Sequence, residues 1–306
     1  MKKIFILTLI IIFIPLLIVS IDHKEEIIKK LKYGIITNKI VKVKRVKTGT
    51  IEEIPLEKYV IGVVAGEVPA TFNMEALKAQ SVASRTYVLK RMNSNNIFDV
   101  EDGTNNQVYI DEKQMKEKWK DSYDKNYKKI KKAVNNTNGE VILYDDQLID
   151  AMFFSSSNGY TENSENVFTK KLPYLTSVES SWDKEEYPAF FSSSEVSISE
   201  FLFNLGFDDT KKLKIEDIKR NSSGRVSSLL VNDKKITGVD IRKKFGLKST
   251  SFTIKITPDK IIFNTEGFGH GVGMSQYGAN GMAKEGYNYK DILRHYYNDI
   301  QIKKIN

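Results

Sequence analysis

The stretch Tyr59-Val-Ile-Gly-Val-Val-Ala-Gly-Glu-Val-Pro-Ala-Thr-Phe72 constrains this chain more than any other. A near-continuous apolar run reaches Ala65, turns at Gly66, presents the carboxylate of Glu67 and breaks at Pro69. Such a run must be buried, so it founds a core. The charged group at its end either leaves that core for a cleft or stays at its edge with a raised pKa. A carboxyl kept protonated near neutrality can act as a general acid. The alternative is a buried Glu67 paired with Arg85 or Lys78.

Local signals organise the rest. Pro55 suits the first turn of a helix running through Ala65. Asn73 suits the N-cap of a second helix reaching about Met92, with Glu75 near its positive end. Gly66-Glu-Val-Pro-Ala is then a helix-to-helix turn, and Glu67 rides on a loop between rigid elements. Upstream, Val41 and Val43 alternate with Lys42 and Lys44, the mark of a half-buried strand. Downstream the pattern predicts a polar loop over 93–110 ending at Gln107-Val-Tyr-Ile, then one long charged helix over 112–136. A hairpin of 140–144 and 148–154 turns at Asp145-Asp146, and a small-residue loop follows over 155–161. Residues 170–196 read as irregular. Ser197, Ser275 and Asn288 read as N-caps of further helices, and strands are expected near 212–217, 225–231, 251–257 and 260–264. Helices and strands mix without regular alternation, which predicts an α+β fold with mainly antiparallel strands.

Met1-Lys-Lys precedes an apolar run over residues 4–21, followed by Asp22-His-Lys-Glu-Glu. As a helix that run spans about 27 Å, enough for a bilayer core, and Pro15 is a tolerated kink. Ile18-Val-Ser20 is a poor cleavage site, which favours an uncleaved signal anchor over a cleaved signal peptide. Lys2 and Lys3 keep the short tail in the cytoplasm. The expected organisation is a cytoplasmic tail (1–3), a transmembrane anchor in the cytoplasmic membrane (4–21), a charged stalk (22–40) and one extracytoplasmic domain (41–306). The net charge of +8 suits an anionic partner, but it reflects a Lys-rich composition throughout, and no nucleic-acid motif accompanies it. The absence of cysteine excludes a disulfide framework, a thiol nucleophile and a Cys-based zinc site. With His23, His270 and His295 as the only histidines, neither a protein-held metal nor another cofactor is expected.

Two further motifs carry chemistry. Asn73-Met-Glu-Ala-Leu-Lys-Ala-Gln-Ser-Val-Ala-Ser-Arg-Thr-Tyr87 sets Gln80, Ala83 and Tyr87 on one helix face, with Arg85 on another. Gln80 and Tyr87 suit hydrogen bonding to or stacking on sugars; packing inside the protein is the alternative for all three polar residues. Gly269-His-Gly-Val-Gly-Met-Ser-Gln-Tyr-Gly-Ala279 permits close backbone approach and positive φ, and leads into a helix N-terminus. Its spacing is neither a dinucleotide fingerprint nor a Walker loop. His270, Gln276 and Tyr277 are its cleft candidates.

These motifs together resemble the stage II sporulation protein D family. The first stretch matches that family's Gly-x-Val-Ala-Gly-Glu pattern, and the helix matches its Ala-Gln-Ala-Val-Ala-Ala-Arg-Thr-Tyr pattern except at Ser81 and Ser84. Phe153-Phe-Ser-Ser-Ser-Asn-Gly-Tyr-Thr-Glu-Asn-Ser164, Leu247-Lys-Ser-Thr-Ser-Phe252 and Ile292-Leu-Arg-His-Tyr-Tyr297 resemble further blocks, so the likeness spans roughly residues 41–306.

The resemblance implies a peptidoglycan lytic transglycosylase with Glu67 as catalytic acid. Ordinary glycosidases need two carboxyls. A lytic transglycosylase takes its nucleophile from the substrate, because the C6 hydroxyl of N-acetylmuramic acid attacks its own C1 and leaves a 1,6-anhydro end. Peptide-stripped glycan strands are the implied substrate. A sporulation amidase and a polytopic membrane protein of the forespore engulfment complex are the implied partners. Gln107 and Tyr109, with Ser155, Ser157 and Thr161 of the third block, complete the expected substrate-binding set. Some relatives bind zinc through cysteines near that block; this chain has Ser and Asn there, so zinc is not expected. Relatives called amidase enhancers share the domain, so a non-catalytic wall-binding recruiter is the rival reading. The intact Glu67 motif favours the enzyme.

Overall fold

A computed structural model of the chain describes residues 39–92, 97–208 and 212–305. The expected tail, anchor and nearly all of the stalk lie outside the described residues. No helix among the described residues is long and apolar enough to cross a membrane.

Strand β1 (Ile40–Lys44) pairs antiparallel with β2 (Ile51–Pro55). Helix α1 (Leu56–Glu67) starts directly after Pro55 and buries the apolar run. It continues two residues past the expected end. Glu67 therefore closes the last helical turn instead of riding on a loop, and extended Val68 and Pro69 end the helix.

Helix α2 (Met74–Arg91) is buried almost all round, from Ala76 to Leu89, which explains its small residues. Its N-cap is Asn73, whose Oδ1 accepts from the Glu75 amide at 3.1 Å. Buried hydroxyls in the helix must find acceptors. Ser81 donates to the Leu77 carbonyl and Thr86 to the Val82 carbonyl, each at 2.7 Å.

Strand β3 (Val100–Glu101) runs parallel to β1. The single helix expected over 112–136 is two, α3 (Glu112–Trp119) and α4 (Tyr123–Asn136). A 3-10 turn at Lys120–Ser122 separates them, and Lys120 takes a left-handed φ of 47°. Periodicity alone does not register such a break, because the buried face resumes after it. Strands β4 (Glu140–Tyr144) and β5 (Gln147–Leu148) turn at Asp145 and Asp146, with φ of 47° and 55°. Two left-handed residues are what a type I′ hairpin turn requires. The expected second hairpin strand splits, and β6 (Phe153–Phe154) pairs elsewhere.

Two short helices, α5 (Glu165–Phe168) and α6 (Asp183–Glu186), lie in the next stretch. The region read as irregular also contains β7 (Phe191–Ser197), which leads into α7 (Ile198–Asn204). Then come β8 (Ile215–Arg220), β9 (Val226–Val231), β10 (Lys234–Thr237), α8 (Gly238–Lys244), β11 (Phe252–Ile256) and β12 (Lys260–Glu266). These form two three-stranded antiparallel sheets, ordered β10-β9-β8 and β11-β12-β7. Their inner faces build a hydrophobic cluster of their own, centred on Phe201, Phe252 and Phe263.

The chain then returns to the larger cluster. Strand β13 (Met274–Ser275) runs parallel to β6, and α9 (Gln276–Lys284) follows. Helix α10 (Tyr289–Tyr296) and β14 (Gln301–Lys304) complete the core, β14 lying beside β4. The return is tied to the start of α2. The Asn73 amide donates to Asn280 Oδ1 at 2.8 Å, and the Tyr289 amide donates to Glu75 Oε2 at 3.0 Å.

Arg85 is fully buried and forms a bidentate pair with Glu57, at 2.8 and 2.7 Å, while donating to the Glu140 carbonyl at 3.1 Å. It links α1, α2 and β4. Arg85→Leu would leave the Glu57 carboxylate and the Glu140 carbonyl without their donor. We expect a loss of about 3 kcal/mol in unfolding free energy by urea denaturation, the lower end for a broken buried pair because Glu57 keeps some solvent contact.

Candidate active site

The end of α1 meets two other segments. Gly66 brings α1 against Val108: a Cβ at Gly66 would lie 2.4 Å from the Val108 carbonyl oxygen. That approach lets the Val108 amide donate to Glu67 Oε1 at 2.7 Å. On the other side, Gln276 Nε2 donates to Glu67 Oε2 at 3.2 Å. The sequence motifs carrying Glu67 and the glycine loop thus converge, although 209 positions separate them.

Glu67 is half-buried as a residue, but protein surrounds its carboxyl. Burial pushes its pKa up, against the lowering effects of the Val108 amide, of Gln276 and of the Lys118 ammonium. Among the described residues, no carboxylate is one of the groups that act on it. Lys118 donates to the Ala65 carbonyl at 2.9 Å, and burial lowers its own pKa. The ion-pair partners that sequence offered are occupied elsewhere: Arg85 holds Glu57, and Lys78 holds Glu75 at 2.6 Å.

Gln276 opens α9, whose N-cap Ser275 accepts from the Gly278 amide. Ser275 Oγ in turn donates to Asp183 Oδ1 at 2.5 Å. Asp183 is fully buried and also accepts from the Ser157 amide (3.0 Å), Ser157 Oγ (2.8 Å) and Ser180 Oγ (2.6 Å). Burial raises its pKa, with the Ser180, Ser275 and Ser157 donors opposing. Close by, a Cβ at Gly278 would lie 2.2 Å from the Tyr296 hydroxyl and 2.4 Å from Ser180 Oγ. The glycine gives α9 room to approach.

Tyr277 packs edge-on against Phe72 at 5.0 Å and, tilted, against Tyr187 at 4.7 Å. Its amide donates to the Ser155 carbonyl at 3.0 Å. Ser155 therefore contributes through its backbone.

Other expected substrate ligands lie inside the protein. Gln107 is fully buried, accepting from the Tyr59 hydroxyl at 3.1 Å and donating to the Ser84 carbonyl at 3.5 Å. Tyr109 stacks on Tyr59 at 5.4 Å, made possible by Gly62, where a Cβ would lie 2.3 Å from its ring. Burial holds the Tyr109 hydroxyl at about 12. Tyr87 is buried, with the Arg91 guanidinium 3.3 Å above its ring centre, and its hydroxyl accepts from Asn106 at 3.3 Å. Gln80 donates to Ser84 Oγ at 3.0 Å, and its buried Oε1 has no partner among the described residues. Ser157 serves Asp183. Thr161 accepts from the Val178 amide at 2.8 Å and donates to the Thr176 carbonyl at 3.4 Å. Buried polar side chains satisfied by one another act as scaffold, and Arg85 is of the same kind. A helix motif alone cannot show which polar side chains face inward when every face is covered.

His270 accepts the Val272 amide on Nδ1 at 3.1 Å and packs against Phe154 and Phe168. Burial, with Arg242 and Arg225 nearby, lowers its pKa to about 4, so the ring is neutral near pH 7. Among the described residues, no group of three or more His, Cys, Asp or Glu side chains has a metal-holding arrangement. Val108, Lys118 and Asp183 were absent from the expected set. A main-chain donor leaves no residue-type signal, and Asp183 sits in a stretch with no periodicity.

The arrangement is one carboxyl at a helix end, its pKa raised by burial, held by a main-chain amide and a side-chain amide. Comparison with known proteins agrees with the motifs. A family model described as Stage II sporulation protein matches residues 44–144. The chain is 45% identical over 267 residues to Stage II sporulation protein D of Bacillus subtilis (strain 168), covering 85% of this chain and 78% of that protein. It is 43% identical over 271 residues to Stage II sporulation protein D of Bacillus amyloliquefaciens, covering 86% and 78%. It is also 28% identical over 290 residues to a Bacillus subtilis protein named Amidase enhancer, covering 77% of this chain and 39% of that protein. The chain belongs to the stage II sporulation protein D family.

The raised pKa of Glu67 has a testable consequence for stability. Its folded pKa lies above the ordinary value of 4.5. At pH above the folded value, the buried carboxylate is ionised and disfavours the fold. As pH falls through the folded value the native state takes up its proton first, and stability is gained until the unfolded value is passed. Glu67→Gln lacks this titration and keeps an acceptor for Val108. Its melting temperature should exceed that of wild type at neutral pH, and the gap should close as pH falls toward 4.5. Thermal melts of both proteins across that range check this.

Proposed function

We propose that this chain is a lytic transglycosylase that cleaves the bond between N-acetylmuramic acid and N-acetylglucosamine in peptide-stripped peptidoglycan strands during sporulation. The observation that carries this reading is a lone carboxyl with a raised pKa and no carboxylate acting on it. Hydrolysis by the usual routes needs a second carboxyl as nucleophile or base. An intramolecular nucleophile removes that need.

Glu67 in its protonated form donates to the glycosidic oxygen as the C1–O4 bond breaks. The resulting carboxylate removes the proton of the C6 hydroxyl as O6 bonds to C1. The products are a 1,6-anhydro end and a free 4-hydroxyl, with no water consumed, and Glu67 is protonated again. Oε1 is held by the short Val108 bond, whereas the Gln276 contact to Oε2 is longer. Oε2 is therefore the oxygen assigned to carry the proton that is passed to the glycosidic oxygen. Lys118 favours the transient carboxylate.

The rival reading, recruitment of an amidase, is favoured by the likeness to the protein named Amidase enhancer. A recruiting surface has no need for a tuned carboxyl. Glu67→Gln should remain folded, bind glycan and lose about a hundred- to ten-thousandfold in rate. Mass analysis of products from purified peptide-free strands reads the anhydro ends. Near-wild-type release by the variant would remove Glu67 from the mechanism.

The membrane anchor over residues 4–21, an extracytoplasmic domain, and partnership with an amidase and a polytopic membrane protein of the engulfment complex belong to the same reading. Protease added to intact protoplasts should digest nearly the whole chain. A protected full-length chain would mean the reverse orientation, and a shortened soluble form in the medium a cleaved signal.

A further inference from the structure

A cavity of 660 Å³ opens at the β11-β12-β7 sheet, and Glu67 is not among its lining residues. Strand pairing sets Ser193, Asn264 and Thr253 side by side across the three strands, with Phe191 beside Glu266 in the next row. Residues two apart on a strand share a face. This row therefore projects away from Phe252, Ile261 and Phe263, which fill the smaller core. Neighbouring strands lie about 4.8 Å apart, so the hydroxyl–amide–hydroxyl row spans about 10 Å, the length scale of a disaccharide.

Three features define what such a groove would take. Ser193, Asn264 and Thr253 are exposed, and their side chains make no hydrogen bond among the described residues. Phe191 is 64% exposed at the rim, its ring held edge-on by Phe190 at 4.9 Å. The one guanidinium lining the cavity is engaged inward, Arg220 donating to the carbonyls of Gly224 and Phe252 at 2.8 and 2.9 Å. Free hydroxyls and an amide beside one aromatic face, with Arg220 engaged inward, Glu266 on the lining and the Lys184 ammonium 5.9 Å from the Phe191 ring centre, suit a ligand rich in hydroxyl and acetamido groups.

In sequence, the groove's lining residues neighbour the segments that build the Glu67 site. Glu266 on its lining leads into the glycine loop that ends at Gln276, and Asn158 lies three positions beyond Ser155, which holds Tyr277. We propose that this groove is a second glycan-binding site, which holds further N-acetylhexosamine units of a strand engaged at Glu67. It rests on the reading of the ligand as glycan.

The test uses the full chain in detergent micelles, carrying Glu67→Gln to prevent turnover. Calorimetric titration with the β-1,4 hexamer of N-acetylglucosamine reads affinity. Phe191→Ala combined with Asn264→Ala should weaken binding about three- to tenfold, the range of one aromatic contact with its hydrogen-bonding row, at unchanged melting temperature. Phe203→Ala, removing another exposed phenylalanine, should leave affinity unchanged. Undiminished affinity in the folded double variant, or no hexamer binding before it is made, overturns the proposal. The two readings separate cleanly. If Glu67-intact protein makes no anhydro ends but hexamer affinity still falls in the double variant, the groove stands without the transglycosylase. If anhydro ends form and affinity does not fall, the reverse holds.

Discussion

The buried carboxylate of Asp183 is the interaction on which the site depends. It collects donors from neighbouring Ser180 and from Ser157 and Ser275, which are remote in sequence. Ser180 extends the cluster to the Tyr296 hydroxyl at 2.7 Å. An unpaired buried carboxylate is costly, so each donor is held as firmly as it holds. Through Ser275 this cluster sets the first residue of α9, and Gln276 is that residue. The Asp183 cluster thus anchors the start of α9, from which Gln276 reaches Glu67.

A second constraint is close backbone approach. Gly62 and Gly66 let residues 108–110 lie directly along α1. The main chain therefore supplies the shorter of the two donors to Glu67. Helix α1 accepts two residues of low helix propensity in return for that contact. Beneath it, Tyr59, Gln107 and Ser84 form a buried polar layer. Gln107, expected as a substrate ligand, has its side chain engaged within this layer.

What could be read beforehand divides along physical lines. Caps at Asn73, Ser197, Ser275 and Asn288 lie where side-chain chemistry placed them, because a cap is a local interaction. The Asp145-Asp146 turn is equally local. Strands β2, β7 and β10 and helix α8 were not anticipated: they are short and mostly exposed, so they carry little hydrophobic periodicity, and β7 in addition pairs with β12, distant in sequence. For the site, the motifs located Glu67 and Gln276, whose meeting only a fold can display. Arg85, Gln107, Tyr109, Ser157 and Thr161 are buried among protein partners, because a strong motif marks residues held in place for packing as readily as residues facing a ligand. The zero net contribution of His270 to charge near neutrality follows from burial, which its sequence context does not encode.

The Glu67–Gln276 contact also imposes a schedule. The carboxyl is made in the first quarter of the chain, yet its second donor and the Ser275 anchor come near the end. Closing so long a loop is entropically unfavourable until other contacts have been made. A nascent chain that has not yet made α9 carries the acid without its Gln276 donor. The two-donor carboxyl is therefore a property of the finished molecule, and the making of α9 acts as a built-in delay between synthesis of the acid and completion of its site.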